Sequence, residues 1–332
     1  MKVIKPFGPK DLRLVDAPIP EPNPGFVRVK VRASGICGSD KWIWSVTEPT
    51  DVVAGHEVAG EIDKLGEGVT SFAVGDRVMI NNVGGCGVCP ACRAGEFVFC
   101  PSWDGSRDVN NGLGEYLVAP ARNCMKLLPG LDFIDGALIP DNWGTPYSNI
   151  KCGQVGIGKD VLVNGCGPIG QAAVSLCKML GAYVIAVDPV EYRRQMALKN
   201  GADRAFSPEE LPDAARKVSD GLGVHTVLEC SGNGNAYPNC LNSLRIGGRL
   251  IAVGEHANFS VCSSDLIRRS LGIAASWYST MQSAAEIMQM ALSGRINLRS
   301  FLTHTIKLED VPGMFGSIMN CDEGIVKCVV VF

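Results

Sequence analysis

The sequence predicts an α/β chain in which a doubly wound parallel sheet is set into a second, β-rich region. Three observations carry that expectation: apolar runs alternate with helical stretches from about residue 155, both ends read as short strands broken by Gly and Pro, and the glycine turn GCGPIG joins an apolar run to a helical pattern. With 332 residues, 46% of them hydrophobic, the chain can bury more than one core, and ordinary domain sizes favour two domains.

The first third carries FVRVKVRA, GEIDKLG and DRVMI, alternating runs bounded by turn residues that read as strands. DVLVNG, a glycine turn, the helical IGQAAVSLCKMLG and the apolar AYVIAVD then compose a βαβ unit. EYRRQMALKNG reads as a helix, HTVLECSG as a strand, AYPNCLNSLRIGG as a helix and RLIAVGE as a strand, the order of a parallel sheet wrapped by helices. SAAEIMQMALSGRI is one more helix, and THTIKLEDV and GIVKCVVVF return to strand patterns. The expected division is therefore 1–147 with 290–332 for the β-rich part and 148–289 for the parallel sheet. There is no internal repeat and no low-complexity tract.

A formal charge of −3 and a pI near 5.9, without any run of Lys and Arg, argue against a nucleic-acid partner. The N-terminal MKVIKPFGPKDLRLV lacks the apolar core of a signal peptide, and no stretch of about 18 uncharged apolar residues suggests a membrane span. A cytoplasmic protein is expected. In that reducing compartment the 14 cysteines are available to metal rather than to disulfides.

Cys86, Cys89, Cys92 and Cys100 form CxxCxxCx7C, a spacing that can close four thiolates around one tetrahedral zinc in a lobe of about residues 84–102. Upstream, Cys37 in GICGSD and His56 beside Glu57 in AGHEVAG are ligand-type residues that cannot complete that cluster. Two zinc sites per chain are implied: one filled by sulfur and structural, the other able to keep a position open for substrate or water. Cys124, Cys152, Cys166, Cys177, Cys230, Cys240, Cys262, Cys321 and Cys328 lack ligand spacing and read as small buried hydrophobes.

Gly165, Gly167 and Gly170, with Pro168 among them, follow VLVN and open a helical pattern, the context of a Rossmann dinucleotide fingerprint. The first glycine permits the tight turn, the second lets the backbone approach a pyrophosphate, and the third allows close helix packing. Asp188 ends the next strand, where its carboxylate can accept the adenosine ribose hydroxyls and repel a 2′-phosphate, so NAD is favoured. Arg193 and Arg194 nearby keep NADP open.

Taken in order, Cys37, the Gly55–Glu57 GHE segment within GHEVAGEIDKLGEGV, FAVGDRV, the four-cysteine lobe and GCGPIG resemble the zinc-dependent medium-chain alcohol and polyol dehydrogenases, over nearly the whole chain. That resemblance implies a GroES-like catalytic domain beside the Rossmann domain, with Cys37 and His56 on the catalytic zinc and Asp141 of GALIPDNWGTPY as a further ligand. It gives Glu57 either a direct place on the metal or a role beside it. The same matching puts Ser39 in proton transfer, Thr145 and Ile169 beside the nicotinamide with Pro168 in the cofactor turn, Arg193 at the adenosine ribose, and Val253 and Gly254 on a later strand edge under the cofactor. Many relatives carry a His as the outer relay group where this chain has Trp42, so the usual proton route is in doubt.

The implied reaction is hydride transfer between a small alcohol, or its carbonyl product, and NAD, the zinc lowering the alcohol pKa. An acidic third ligand leans toward a secondary alcohol of a polyol, sugar alcohol or amino alcohol. Trp42, Trp44, Trp103, Trp143 and Trp277 are candidate walls for such a substrate, though packing explains at least half of them. The family implies a homodimer or homotetramer. An NADPH-dependent aldehyde or ketone reductase on the same scaffold, and a catalytically silent dinucleotide-binding protein, are the alternatives.

Overall fold

A computed structural model describes residues 1–211, 213–322 and 324–332. In chain order the strands are β1 (Lys2–Gly8), β2 (Asp11–Asp16), β3 (Phe26–Ile36), β4 (Glu57–Leu65), β5 (Arg77–Ile80), β6 (Tyr116–Pro120), β7 (Cys124–Lys126), β8 (Asp160–Asn164), β9 (Tyr183–Val187), β10 (Arg204–Phe206), β11 (Val224–Glu229), β12 (Leu244–Ala252), β13 (Gly272–Ala275), β14 (Leu302–Lys307) and β15 (Lys327–Val331). The chain separates into two compact units, one of Met1–Asp141, Ser279–Leu292 and Leu302–Phe332, the other of Asn142–Tyr278 and Ser293–Phe301.

In the first unit a seven-stranded sheet runs β14-β15-β3-β4-β5-β7, with β6 also paired to β3, and β1 and β2 form a separate hairpin. β3 shows why: Val27, Val29 and Val31 point inward between Arg28, Lys30 and Arg32, the two-residue period of a strand with one buried face. Those valines pack with Val58, Ile62, Val78, Ile80 and Leu117. The register of β3 with β4 pairs Gly35 with Glu57, which brings the end of β3 beside the start of β4.

The second unit holds a six-stranded, all-parallel sheet in the order β10-β9-β8-β11-β12-β13. Counted within the unit this is 3-2-1-4-5-6, the doubly wound arrangement whose order reverses between β8 and β11. β8 and β9 are almost continuously buried, as strands covered by helices on both faces must be.

Two boundaries differ from the sequence pattern. LRIGG, read as the end of a helix, begins β12, because the helix stops at Ser243. The helix Met281–Leu292 belongs to the first unit, where the Met281 amide bonds the Gly95 carbonyl at 3.0 Å, whereas the pattern placed residues up to 289 with the parallel sheet. Helical periodicity reveals an apolar face but not which core receives it.

Candidate active site

Cys37 follows β3 directly and caps the short 3-10 turn Gly38–Ser45. Asp40, three residues on, accepts the Cys37 amide at 2.9 Å with one oxygen and lies 3.3 Å from His56 Nδ1 with the other. That single buried carboxylate fixes both the backbone of one candidate ligand and the ring of the next. Asp141 arrives on the π-helical turn Ile139–Trp143 after the helix Phe133–Leu138, a widened turn of the kind that redirects side chains at functional sites. Its Oδ2 lies 3.3 Å from His56 Nε2 and 3.6 Å from Cys37 Sγ.

One ligand atom from each of Cys37, His56, Glu57 and Asp141 falls within 4.8 Å of all the others. Glu57 is wholly buried, and both its oxygens face Lys327 Nζ, at 2.6 and 2.7 Å; the ammonium also donates to the Ile36 carbonyl at 2.9 Å. A Cβ at residue 35 would stand 1.9 Å from a Glu57 oxygen, so only glycine there admits this carboxylate.

The electrostatics fit a cation. Burial, then the Asp141 charge, pushes the Cys37 thiol up; burial also raises Glu57 against the pull of Lys327. Burial opposes a charge on His56, yet Asp40 and Asp141 at its two nitrogens hold its pKa well above the ordinary value. Acidic donors crowded into a dry pocket, with one imidazole among them, are stabilised together by a divalent ion, and this sulfur, nitrogen and oxygen set suits zinc.

The lobe after β5 also assembles. Cys86, Cys89, Cys92 and Cys100 bring their sulfurs together, Cys86 and Cys92 at 4.0 Å. Backbone amides converge on the thiols: Cys86 N to Cys100 Sγ at 3.3 Å, Cys89 N to Cys86 Sγ at 3.4 Å and Cys92 N to Cys89 Sγ at 3.5 Å. The Val88 and Cys89 amides lower Cys86 to about 6, while burial pushes Cys92 to about 12. Four sulfurs leave no vacancy for substrate, the mark of a structural site.

In the second unit GCGPIG lies between β8 and the helix Pro168–Met179, with Pro168 at its first position. Gly165 has φ +90°, and a Cβ at Gly170 would stand 1.8 Å from the Gly165 carbonyl. Asp188, just beyond β9, accepts Cys166 N and Val190 N, each at 2.8 Å, and Arg193 reaches to 4.0 Å. Arg194 is tied to the Asp188 and Pro189 carbonyls and to Glu191. Ile169 is half-buried in the glycine turn's helix, and Val253 and Gly254 follow β12 with their amides on the Glu229 carbonyl at 2.9 and 2.8 Å. Thr145 is half-buried on the helix Gly144–Gly153, its carbonyl accepting from Asn149 at 2.9 Å, and Ser39 is exposed two residues after Cys37.

Several expectations change. Trp143 is fully buried, stacks at a tilt on Phe301 and donates to the Leu298 carbonyl at 3.0 Å, so it is core rather than substrate wall. Trp44 packs edge-on against Phe315. Of the nine cysteines expected to be buried, Cys124, Cys166, Cys177, Cys240 and Cys328 are, Cys152 and Cys230 are half-buried, and Cys262 and Cys321 are exposed. Asp40 and Lys327 went unselected by sequence reasoning. In CGSD the Asp40 carboxylate takes the Cys37 amide as a capping acid does, but cysteine is not a usual cap residue, and nothing in KCVVV distinguishes Lys327 from an ordinary strand lysine.

Comparison with known proteins agrees with this geometry. The family description "Alcohol dehydrogenase GroES-like domain" matches residues 23–129 and "Zinc-binding dehydrogenase" matches 168–293. An L-threonine 3-dehydrogenase from Shewanella frigidimarina is 31% identical over 336 residues, 98% of each chain. One from Pyrococcus horikoshii is 32% identical over 315 residues, covering 89% of this chain and 88% of the relative. The NADH complex of an Escherichia coli CFT073 protein described as a short chain alcohol dehydrogenase superposes with a TM-score of 0.90 at 27% identity, covering 100% of this chain and 99% of the other. Fold and donor set together define a zinc-binding oxidoreductase built on a Rossmann sheet and a GroES-like domain. The chain belongs to the zinc-dependent medium-chain alcohol dehydrogenase family. It is a zinc-dependent dehydrogenase of the alcohol-oxidising type.

Proposed function

We propose that the chain oxidises the secondary alcohol of a polyol, sugar alcohol or amino alcohol at the site of Cys37, His56 and Asp141. The observation that carries this reading is the convergence of those three ligand atoms with Glu57 inside 4.8 Å. Zinc held there supplies Lewis-acid polarisation of the alcohol, and the dinucleotide supplies the hydride acceptor. Asp40 orients the His56 ring so that Nε2 faces the other ligands, and Lys327 keeps Glu57 beside them. Ser39, exposed next to the cluster, is the hydroxyl through which the alcohol proton leaves; with Trp42 in place of a histidine, it passes onward to ribose hydroxyls or water. The amino-alcohol arm gains support from the two threonine 3-dehydrogenases.

The glycine turn with Pro168, Ile169, Val253 and Gly254, together with Thr145, forms the dinucleotide contacts, and Asp188 with Arg193 receives the adenosine ribose. NAD is preferred over NADP because the Asp188 carboxylate repels a 2′-phosphate and Arg194 is already committed to two carbonyls and Glu191. The NADPH-dependent alternative would turn on Arg193, whose guanidinium stands 4.0 Å from the Asp188 carboxylate. Cys86, Cys89, Cys92 and Cys100 hold the second zinc. A functional division into a zinc-bearing part and a dinucleotide-binding part is supported by the presence of two compact units. Self-association as a homodimer or homotetramer is supported by β13, which pairs only with β12 among the described residues and exposes Ile273. No helix among the described residues is long and apolar enough to cross a membrane, and free zinc-binding thiols suit the reducing cytoplasm.

The test is a panel of L-threonine, other amino alcohols, polyols, sugar alcohols and simple alcohols, each with NAD and NADP, followed by absorbance of the reduced cofactor. Turnover confined to simple primary alcohols would overturn the substrate class. Turnover only with NADP would overturn the cofactor assignment. Zinc analysis should find two equivalents per chain, falling to one in Cys37→Ser.

A further inference from the structure

Glu229 is the last residue of β11, fully buried at the point where the strand order of the parallel sheet reverses. Its Oε1 accepts Asn164 Nδ2 at 3.0 Å, Ser231 N at 2.9 Å and, at closer range, Ser231 Oγ; its Oε2 accepts Gly232 N at 3.2 Å. Among the described residues no Lys, Arg or His stands within ion-pair distance of it. A buried carboxylate held only by neutral donors costs free energy unless every bond is made, so its place in the fold calls for a reason.

The reason lies in what it anchors. A Cβ at Gly165, the first glycine of the dinucleotide turn, would meet Ser231 N at 2.7 Å and Ser231 Cα at 2.8 Å. A Cβ at Gly254 would meet Gly232 N at 2.2 Å. The Ser231–Gly232 segment is thus wedged between the turn after β8 and the turn after β12, and Glu229 binds both of its amides. In a doubly wound sheet one mononucleotide half lies over strands 1–3 and the other over strands 4–6, with the pyrophosphate at the reversal.

We propose that Glu229 is a positioning residue for the dinucleotide: it fixes Ser231 and Gly232 as the wall that separates the pyrophosphate turn from the half that receives the nicotinamide mononucleotide. This rests on the reading of GCGPIG as the cofactor turn. A glutamine at 229 keeps the size but turns an N–H toward the donors that now bond the carboxylate, which pushes the wall out of place.

The experiment uses the full zinc-loaded chain, titrating NADH and 5′-AMP by fluorescence and calorimetry. Glu229→Gln should weaken NADH about tenfold or more, leave AMP within about threefold and retain two zinc equivalents; these outcomes separate a placed wall from a general loss of folded protein. Ser231→Ala, which removes one of the bonds, should weaken NADH in the same direction by a smaller factor, and it remains readable if Glu229→Gln does not fold. NADH affinity unchanged within twofold in both variants, or AMP weakening in parallel with NADH, would overturn the inference. Absence of NADH binding by the unaltered chain would instead overturn the dinucleotide reading on which it rests.

Discussion

Two buried side chains, Asp40 and Lys327, set the geometry of the candidate metal cluster of Cys37, His56, Glu57 and Asp141. Asp40 bonds the Cys37 amide and faces the His56 ring, so removing its charge loosens two candidate ligands at once. Asp40→Asn should weaken the catalytic zinc by about 10–100-fold while leaving the four-cysteine zinc in place, as read by competition with a chelator. Equal loss of both metals would refute the pairing. Lys327 has a different task, since Glu57 is entirely buried and Lys327 is its cationic partner. Lys327→Met should cost about 3–5 kcal/mol in urea unfolding, the cost of stranding a buried charge, and the double change Lys327→Met with Glu57→Gln should recover much of it. No recovery in the double variant would show that the lysine acts through packing alone. Both residues illustrate what a chain hides at this scale: the partners of Lys327 are 270 positions away in Glu57 and 291 in Ile36, a separation no local pattern encodes.

Elements were legible wherever a short-range rule decides them. The alternation of β3 and the glycine spacing before the helix Pro168–Met179 needed only backbone sterics and one-sided burial to be read. Gly170 shows how little freedom such a motif leaves, because a methyl group there would overlap the Gly165 carbonyl at 1.8 Å. Gly170→Ala should therefore destabilise the parallel-sheet unit by about 3 kcal/mol or more and weaken NADH, seen in thermal unfolding and fluorescence titration. An alanine variant with unaltered melting and binding would contradict that close approach. Where a rule of longer reach operates, the pattern misled: LRIGG follows directly on a helix, yet Leu244 pairs with Val224 of β11 and the segment opens β12. Asp141 stands on a π-helical turn that nothing in IPDNW announces, because the extra residue per turn is a response to surrounding packing rather than to propensity.

At the scale of the whole molecule, β13 stands at the end of the parallel sheet and, among the described residues, pairs only with β12. Ile273 is 38% exposed on β13, and the proposed self-association through this edge is open to test. Ile273→Lys should halve the mass seen by light scattering without changing zinc content; a chain already monomeric before the substitution would remove β13 from consideration.

The four-cysteine spacing and the glycine turn were legible in the sequence alone, since each rests on residue type at fixed short spacing, whereas Asp141 entered only through resemblance to a family. Only the tertiary structure decided that Asp40 and Lys327 guard the cluster, that Trp143 and Trp44 belong to cores, and that the helix Met281–Leu292 packs with the zinc-bearing unit. Those outcomes depend on which distant surfaces meet, and burial and pairing across the chain select among faces that look equivalent in one dimension.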